Sequence, residues 1–167
     1  SIFGSDPAKT TRMVLAAIQK TGRRALFSCG WGGLQKDLAL GLPNVYVLDE
    51  FVPHSWLFER ASLVIHHGGV GSTHEGLRAG KPTIICPFFG DQPFWGRLIQ
   101  ELGVGPTPIP QKKLSAEGLS DAIEIASSTE ILTRAKQLQR QIASENGVEN
   151  ACDFIEKYLS RRETQVS

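Results

Sequence analysis

The chain is poor in cysteine, has no excess of charge of either sign and contains no long apolar run, and each shortage argues against a class of function. Cys29, Cys86 and Cys152 are odd in number, far apart and free of any C-x-x-C pair, which speaks against a disulfide framework and against a cysteine zinc site. A reducing cytoplasm is the expected setting. Eighteen Lys plus Arg stand against seventeen Asp plus Glu, so there is no basic surplus to neutralise a nucleic-acid backbone, and nucleic acid is not an expected partner. No segment approaches the roughly 20 apolar residues that span a bilayer. No charged-then-apolar leader opens the sequence, and peripheral contact with a membrane is left open.

What is present suffices for one sizeable core: 167 residues, 41% of them apolar, suit one compact domain. Ser1 to Ser5 read as the end of a strand running into a turn, with no Met and no lead-in, as if cut from something longer. Asp6 before Pro7 signals a helix start, and Met13, Val14, Ala17 and Ile18 repeat at helical spacing up to Gly22. Ala25–Ser28, Val45–Leu48, Ser62–His66 and Thr83–Cys86 read as strands, with apolar runs suited to a sheet covered on both faces. Helices are predicted over Leu34–Leu40, Ser72–Ala79 and Pro93–Leu102. From Ser115 onward the pattern is helical only, with Gly147 as a break, and residues 161–167 form a polar tail. This alternation predicts an α/β fold: a Rossmann-like, doubly wound parallel sheet followed by a helical C-terminal segment.

The chemistry concentrates where a strand gives way to a helix, in Ile65-His66-His67-Gly68-Gly69-Val70-Gly71-Ser72-Thr73. In open α/β sheets ligands sit at the carboxyl ends of strands, and a helix start there offers free N–H groups and a positive dipole end to an anion. The stretch reads as a phosphate cradle. It is not a Walker loop and lacks the G-x-G-x-x-G spacing. By itself such a loop is equally compatible with a purely structural glycine turn.

The surrounding text narrows the choice. The segment FVPHSWLFERASLVIHHGGVGSTHEGLRAGKPTIICPFFGDQPFWG, which opens at Phe51 and carries Gln92 near its end, resembles the donor-binding signature of family 1 glycosyltransferases of the GT-B type, most closely the sterol 3-beta-glucosyltransferases and their bacterial relatives. The resemblance implies a C-terminal domain that binds a nucleotide sugar over residues 1–160, with the N-terminal acceptor domain absent. It implies that Phe51 packs near a uracil, that the Val52 backbone pairs with the base edge, and that His54 stands where plant relatives place Gln. His67 would donate to the diphosphate, and Gly69, Gly71, Ser72 and Thr73 would supply backbone and hydroxyl donors. Glu75 would accept from the ribose hydroxyls, and Asp91 and Gln92 would hold those of a hexose. Ser5 would face the phosphates and Trp31 would flank the base.

Plainer roles stand beside these. His66 reads as a strand-end residue and His74 as a surface one. Glu75 could merely favour a helix N-terminus, and Asp91-Gln92 could be an ordinary helix cap. Trp56, Phe58, Phe88, Phe89 and Trp95 read as packing residues, with Phe89 and Trp95 near the cleft.

The resemblance implies an inverting transfer of glucose from UDP-glucose to a sterol or another lipophilic alcohol. His67 would stabilise the leaving diphosphate, and the general base would lie in the missing domain. No Asp-x-Asp triplet occurs, so no metal and no cofactor besides the donor are expected. The isolated piece would be inactive. The alternatives are a stand-alone UDP-sugar-binding subunit of a heteromeric membrane glycosyltransferase and a UDP-sugar epimerase of the same architecture.

Overall fold

The computed structural model describes residues 6–29 and 34–163, with side chains through Leu159; the predicted opening strand and the glycines after Cys29 lie outside them. Helix α1 (Pro7–Thr21) starts as its sequence dictates. The Asp6 carboxylate accepts the Lys9 N–H at 2.8 Å, Pro7 occupies the first turn, and Gly22 closes the helix at φ +64°. β1 (Ala25–Ser28) pairs in parallel with β2 (Val45–Leu48), Ala25 opposite Val45. β3 (Val64–His66) pairs in parallel with β4 (Thr83–Ile85), Val64 opposite Thr83.

The strands carry the core on their alternating faces. Ile84 points into a cluster with Ala17 of α1 and with Leu119, Ala122 and Ile123 of α5 (Ala116–Ala126). Its neighbour Ile85 points the other way, against Leu77 of α3 (Val70–Arg78), Ile99 of α4 (Gln92–Glu101) and Ala135 of α6 (Thr129–Ala143). The chain from Val104 to Ile109 lies along the free edge of β4, where Thr83 N–H donates to Val104 O and Ile109 N–H to Ile85 O, each at 3.0 Å. Thus β4 is fully buried and covered on both faces, as its unbroken apolar run requires.

The parallel α/β architecture is as expected; among the described residues its strands form two parallel pairs, with no ladder joining β1 to β3. Finer expectations need correction. The β1–β2 pair is covered on one face only: Phe27 packs on Leu15 and Ile18, while Leu26 and Tyr46 on the other face are 54% and 67% exposed. The helix predicted over Leu34–Leu40 shrinks to a 3-10 turn, Lys36–Leu38, too short to bury a face of its own. Helix α2 (His54–Arg60), absent from the sequence reading, follows Pro53 and is held by Phe58 packing on Val64 and Ala79. The expected break between the last two helices falls at residues 144–146, with Gly147 itself opening α7 (Gly147–Glu163), and that helix runs into the predicted tail. Ser144 ends α6 before it. The apolar residues Val148, Phe154 and Ile155 of α7 are exposed, so this helix does not add to the core.

The two-faced packing of β4 makes a stability prediction. Ile84→Ala should lose about 2–5 kcal/mol in urea unfolding, as large-to-small core changes do. Leu26→Ala, on the open face, should shift stability by about 0.5 kcal/mol or less.

Candidate functional site

The turn from β3 to α3 lies against the start of α4. Gly68 adopts φ +97°, and a methyl group on its Cα would come 2.7 Å from Ile85 Cγ2 and 3.2 Å from the Gln92 carbonyl oxygen, so only glycine lets the turn sit this close to the sheet. Gly69 then takes the N-cap position of α3. Having no side chain, it leaves the first-turn N–H groups of Val70, Gly71 and Ser72 without a side-chain cap, at the positive end of the helix. Gly71 faces open space.

The two histidines of the turn are set apart by their surroundings. His67 is exposed, its Nε2 curled over Gly69 so that a methyl there would meet it at 2.7 Å. Partial burial holds its pKa below the ordinary imidazole value, and the nearby Asp91 carboxylate opposes that shift. At neutral pH His67 is therefore mainly an uncharged ring. The His66 ring is more deeply enclosed; its Nδ1 accepts the Gly68 N–H at 3.0 Å, and its Nε2 is buried without a partner among the described residues. Burial first, and the neighbouring His67 and His54 second, push its pKa down to about 3.

The loop before α4 completes the site. Gln92 is buried, and its Oε1 accepts the Phe88 and Phe89 N–H groups at 3.0 and 3.4 Å, which leaves its NH2 as the group it can offer outward. Asp91 occupies the N-cap position of α4 but makes no capping bond. Its Oδ2 accepts the Trp95 indole N–H at 2.8 Å instead, one helical turn on, which leaves the other carboxylate oxygen for an outside partner. The ring of His74 meets Trp95 edge-on at 5.1 Å and so ties α3 to α4. Phe88 lies 6.1 Å from the His67 ring.

The structure brings together His67, Gly69, Gly71, Ser72, Asp91 and Gln92. Both donors of Thr73 are taken up: its N–H and its hydroxyl bond to the Gly69 carbonyl at 3.0 and 2.9 Å, and the residue is fully buried. Its part is to close the first turn of α3, not to donate outward as the sequence reading had it. Glu75 is half-buried and its carboxylate lies 3.7 Å from Arg78. Phe51 is 90% exposed, Val52 is half-buried, and His54 stacks on Phe58 at 4.8 Å. Ser5 and Trp31 lie outside the described residues. Sequence reasoning missed the Asp91–Trp95 bond, although the spacing of four residues on one helix was there to find it. The described residues contain no group of three or more metal-ligating side chains and no helix long and apolar enough to cross a membrane.

The fold and this turn define the class: the chain has the architecture of the C-terminal, Rossmann-like half of GT-B glycosyltransferases. It superposes on the glycosyltransferase of kitacinnamycin with a TM-score of 0.78 at 26% identity, over 93% of this chain and 41% of that one. It superposes on LpCGTa, crystallised in complex with UDP, with a TM-score of 0.76 over 95% and 41% of the two chains; at 18% identity this is likeness of fold alone. Residues 33–153 match the family described as the C-terminal domain of erythromycin biosynthesis protein CIII-like proteins, and the chain belongs to that family. It is 42% identical to a sterol 3-beta-glucosyltransferase of Arabidopsis thaliana, over 99% of this chain and 26% of the relative. It is 38% identical to UDP-sugar-dependent glycosyltransferase 52 of Dictyostelium discoideum, over 95% and 11%. The chain thus spans about a quarter or less of the curated relatives it matches.

The neutral state of His66 links folding to pH. With the folded value at about 3 and an unfolded value near 6.5, the unfolded chain binds the extra proton between these limits. Stability is therefore complete above about pH 6.5 and falls as the medium acidifies. Urea unfolding should show a loss of about 2 kcal/mol from this residue between about pH 7.5 and 5, absent in His66→Asn. In NMR titration His67 should take up its proton below the usual imidazole range, and lower still in Asp91→Asn.

Proposed function

We propose that the chain is the donor-binding part of an inverting, UDP-sugar-dependent glycosyltransferase, with UDP-glucose as donor and a sterol or similar lipophilic alcohol as acceptor. One observation carries the proposal: an uncapped helix start, the His67 ring and the Asp91 carboxylate meet at the carboxyl ends of two parallel strands, where open α/β sheets hold their ligands. The names of the relatives supply the chemistry. Those reported above are a sterol 3-beta-glucosyltransferase and a UDP-sugar-dependent glycosyltransferase, and neither an epimerase nor a stand-alone subunit appears among them.

In this reading the diphosphate lies over the amides of Val70, Gly71 and Ser72, with His67 donating to it. The hexose hydroxyls donate to Asp91 and receive from the Gln92 amide. Uridine extends toward Phe51, Val52 and His54, with Glu75 on the ribose. As the acceptor oxygen bonds to the anomeric carbon, the bond to the diphosphate oxygen breaks and its electron pair leaves with UDP. Fixed N–H dipoles stabilise that growing charge without reorganising. The hydroxyl proton goes to a base in the part of the relatives that this chain does not span, together with the acceptor site. The chain alone binds donor and transfers nothing.

Calorimetric titration tests the assignment. His67→Ala should weaken UDP binding by about 1.5–3 kcal/mol, the usual range for a hydrogen bond to a charged group. Asp91→Asn should weaken UDP-glucose while leaving UDP unchanged. Absence of UDP binding by the folded chain at millimolar concentration would refute the reading, and equal loss of both ligands in Asp91→Asn would remove the sugar from that side.

A further inference from the structure

His66 lies beside the proposed phosphate contacts without belonging to them. Because Gly68 N–H donates to Nδ1 at 3.0 Å, Nδ1 carries no hydrogen and, in the neutral ring, Nε2 carries it. That Nε2–H is cut off from solvent and has no acceptor among the described residues. A ring present only to fill space would be better replaced by hydrocarbon, which strands no donor. What a hydrocarbon side chain cannot do is receive the Gly68 amide.

This bond spans the same two residues as the side-chain-to-backbone link by which Asn and Asp shape turns. It pins Gly68 at φ +97°, a conformation glycine adopts freely and therefore also leaves freely. On the other side Gly68 is walled by Ile85 and Gln92. With the amide held by His66 and the Cα held by those two residues, the turn has one conformation. That conformation sets where Gly69 starts α3 and where the His67 ring falls.

We propose that His66 is the positioning residue of this turn: through Nδ1 it holds Gly68, and thereby aims His67 and the first amides of α3, without touching the ligand. The inference rests on the reading of the turn as a diphosphate site.

Two substitutions separate the two ring nitrogens. His66→Gln keeps a donor near the place of Nε2 but carries its amide oxygen one bond farther out, leaving no acceptor at the place of Nδ1. His66→Asn keeps an acceptor near the place of Nδ1 and loses the distal donor. UDP affinity should fall about tenfold or more in His66→Gln, the loss expected when a hydrogen bond to a charged group is misaimed, and His66→Asn should restore most of it. Uridine affinity should be the same in all three proteins, which a general loss of structure would not allow. The Gly68 amide should exchange slowly with solvent in the parent and in His66→Asn and quickly in His66→Gln. Equal loss of UDP affinity in the two variants, or undiminished affinity in His66→Gln, would overturn the proposal. Should His66→Gln fail to fold, nitrogen spectra of the parent still decide: Nδ1 bare and Nε2 protonated is required, and the reverse overturns it. If the parent binds neither UDP nor pyrophosphate, the diphosphate reading is what fails, and amide exchange and the His67 ring shift then judge the turn geometry separately.

Discussion

The closeness of Gly68 to the end of β4 is the constraint on which the site depends. Ile85 is locked on its own side between Leu77, Ile99, Val104 and Ala135, so the wall that Gly68 touches is part of the core and cannot yield cheaply. The same contact places the Gln92 carbonyl oxygen and Cβ beside the turn, and Gln92 braces the loop of Phe88 and Phe89 with its side-chain oxygen. Two loops from neighbouring strands are thus joined through one glycine and one buried amide. A shift of either would be felt by the other, which is how a site made largely of backbone groups acquires a fixed shape.

β4 has a second consequence for the architecture. Because Ile84 and Ile85 feed opposite clusters, the helices before and after the strand are held to a common frame. α6 adds to that frame by polar reach: Arg134 Nε donates to the Leu102 carbonyl and Gln139 Nε2 to the Arg78 carbonyl, both at 3.1 Å, near the ends of α4 and α3. The site-bearing helices are fixed at their far ends as well as at the turn. The β1–β2 pair, by contrast, leaves Leu26 and Tyr46 open to solvent, and α7 leaves its apolar residues uncovered. Packing is therefore concentrated around the strand pair that carries the candidate site.

The parts legible in the sequence were those decided locally. β1 and β2 fell where read because Gly, Arg, Pro and Asn bound short apolar runs, and α1 began where an Asp–Pro pair dictates it. The glycine turn announced itself by composition. α2 was not legible, because a helix this short is held by tertiary packing of Phe58 on Val64 and Ala79, which no periodicity displays. The break near Gly147 was legible, but not that the glycine falls on the far side of it, because glycine is as tolerable at a helix start as beyond its end. Within the site, the identities of the polar residues were readable but their partners were not. Thr73 spends its donors on Gly69, Gln92 turns its oxygen inward, and His66 engages an amide two residues on, each a matter of which group lies nearest in space.

Charge orders what is left. None of the residues that meet at the turn is a lysine or an arginine, so an anion there would be held by neutral N–H donors and the dipole of α3. Such donors act strongly only where water is thin and their directions are fixed, and the close-packed Gly68 contact meets the second condition. Asp91 sits near enough to His67 to act on its proton affinity. A carboxylate at that distance would repel a diphosphate placed against it but would welcome hydroxyl donors. In the proposed reading the two ends of the site would sort a ligand by polarity: its anionic part over the amides of α3, its hydroxyl-bearing part toward Asp91 and Gln92. Trp95 sharpens the division, since by engaging Oδ2 it fixes which carboxylate oxygen faces outward. Of the ligand classes an α/β sheet can hold at this edge, a sugar carried on a diphosphate has both kinds of group in the order this sorting demands.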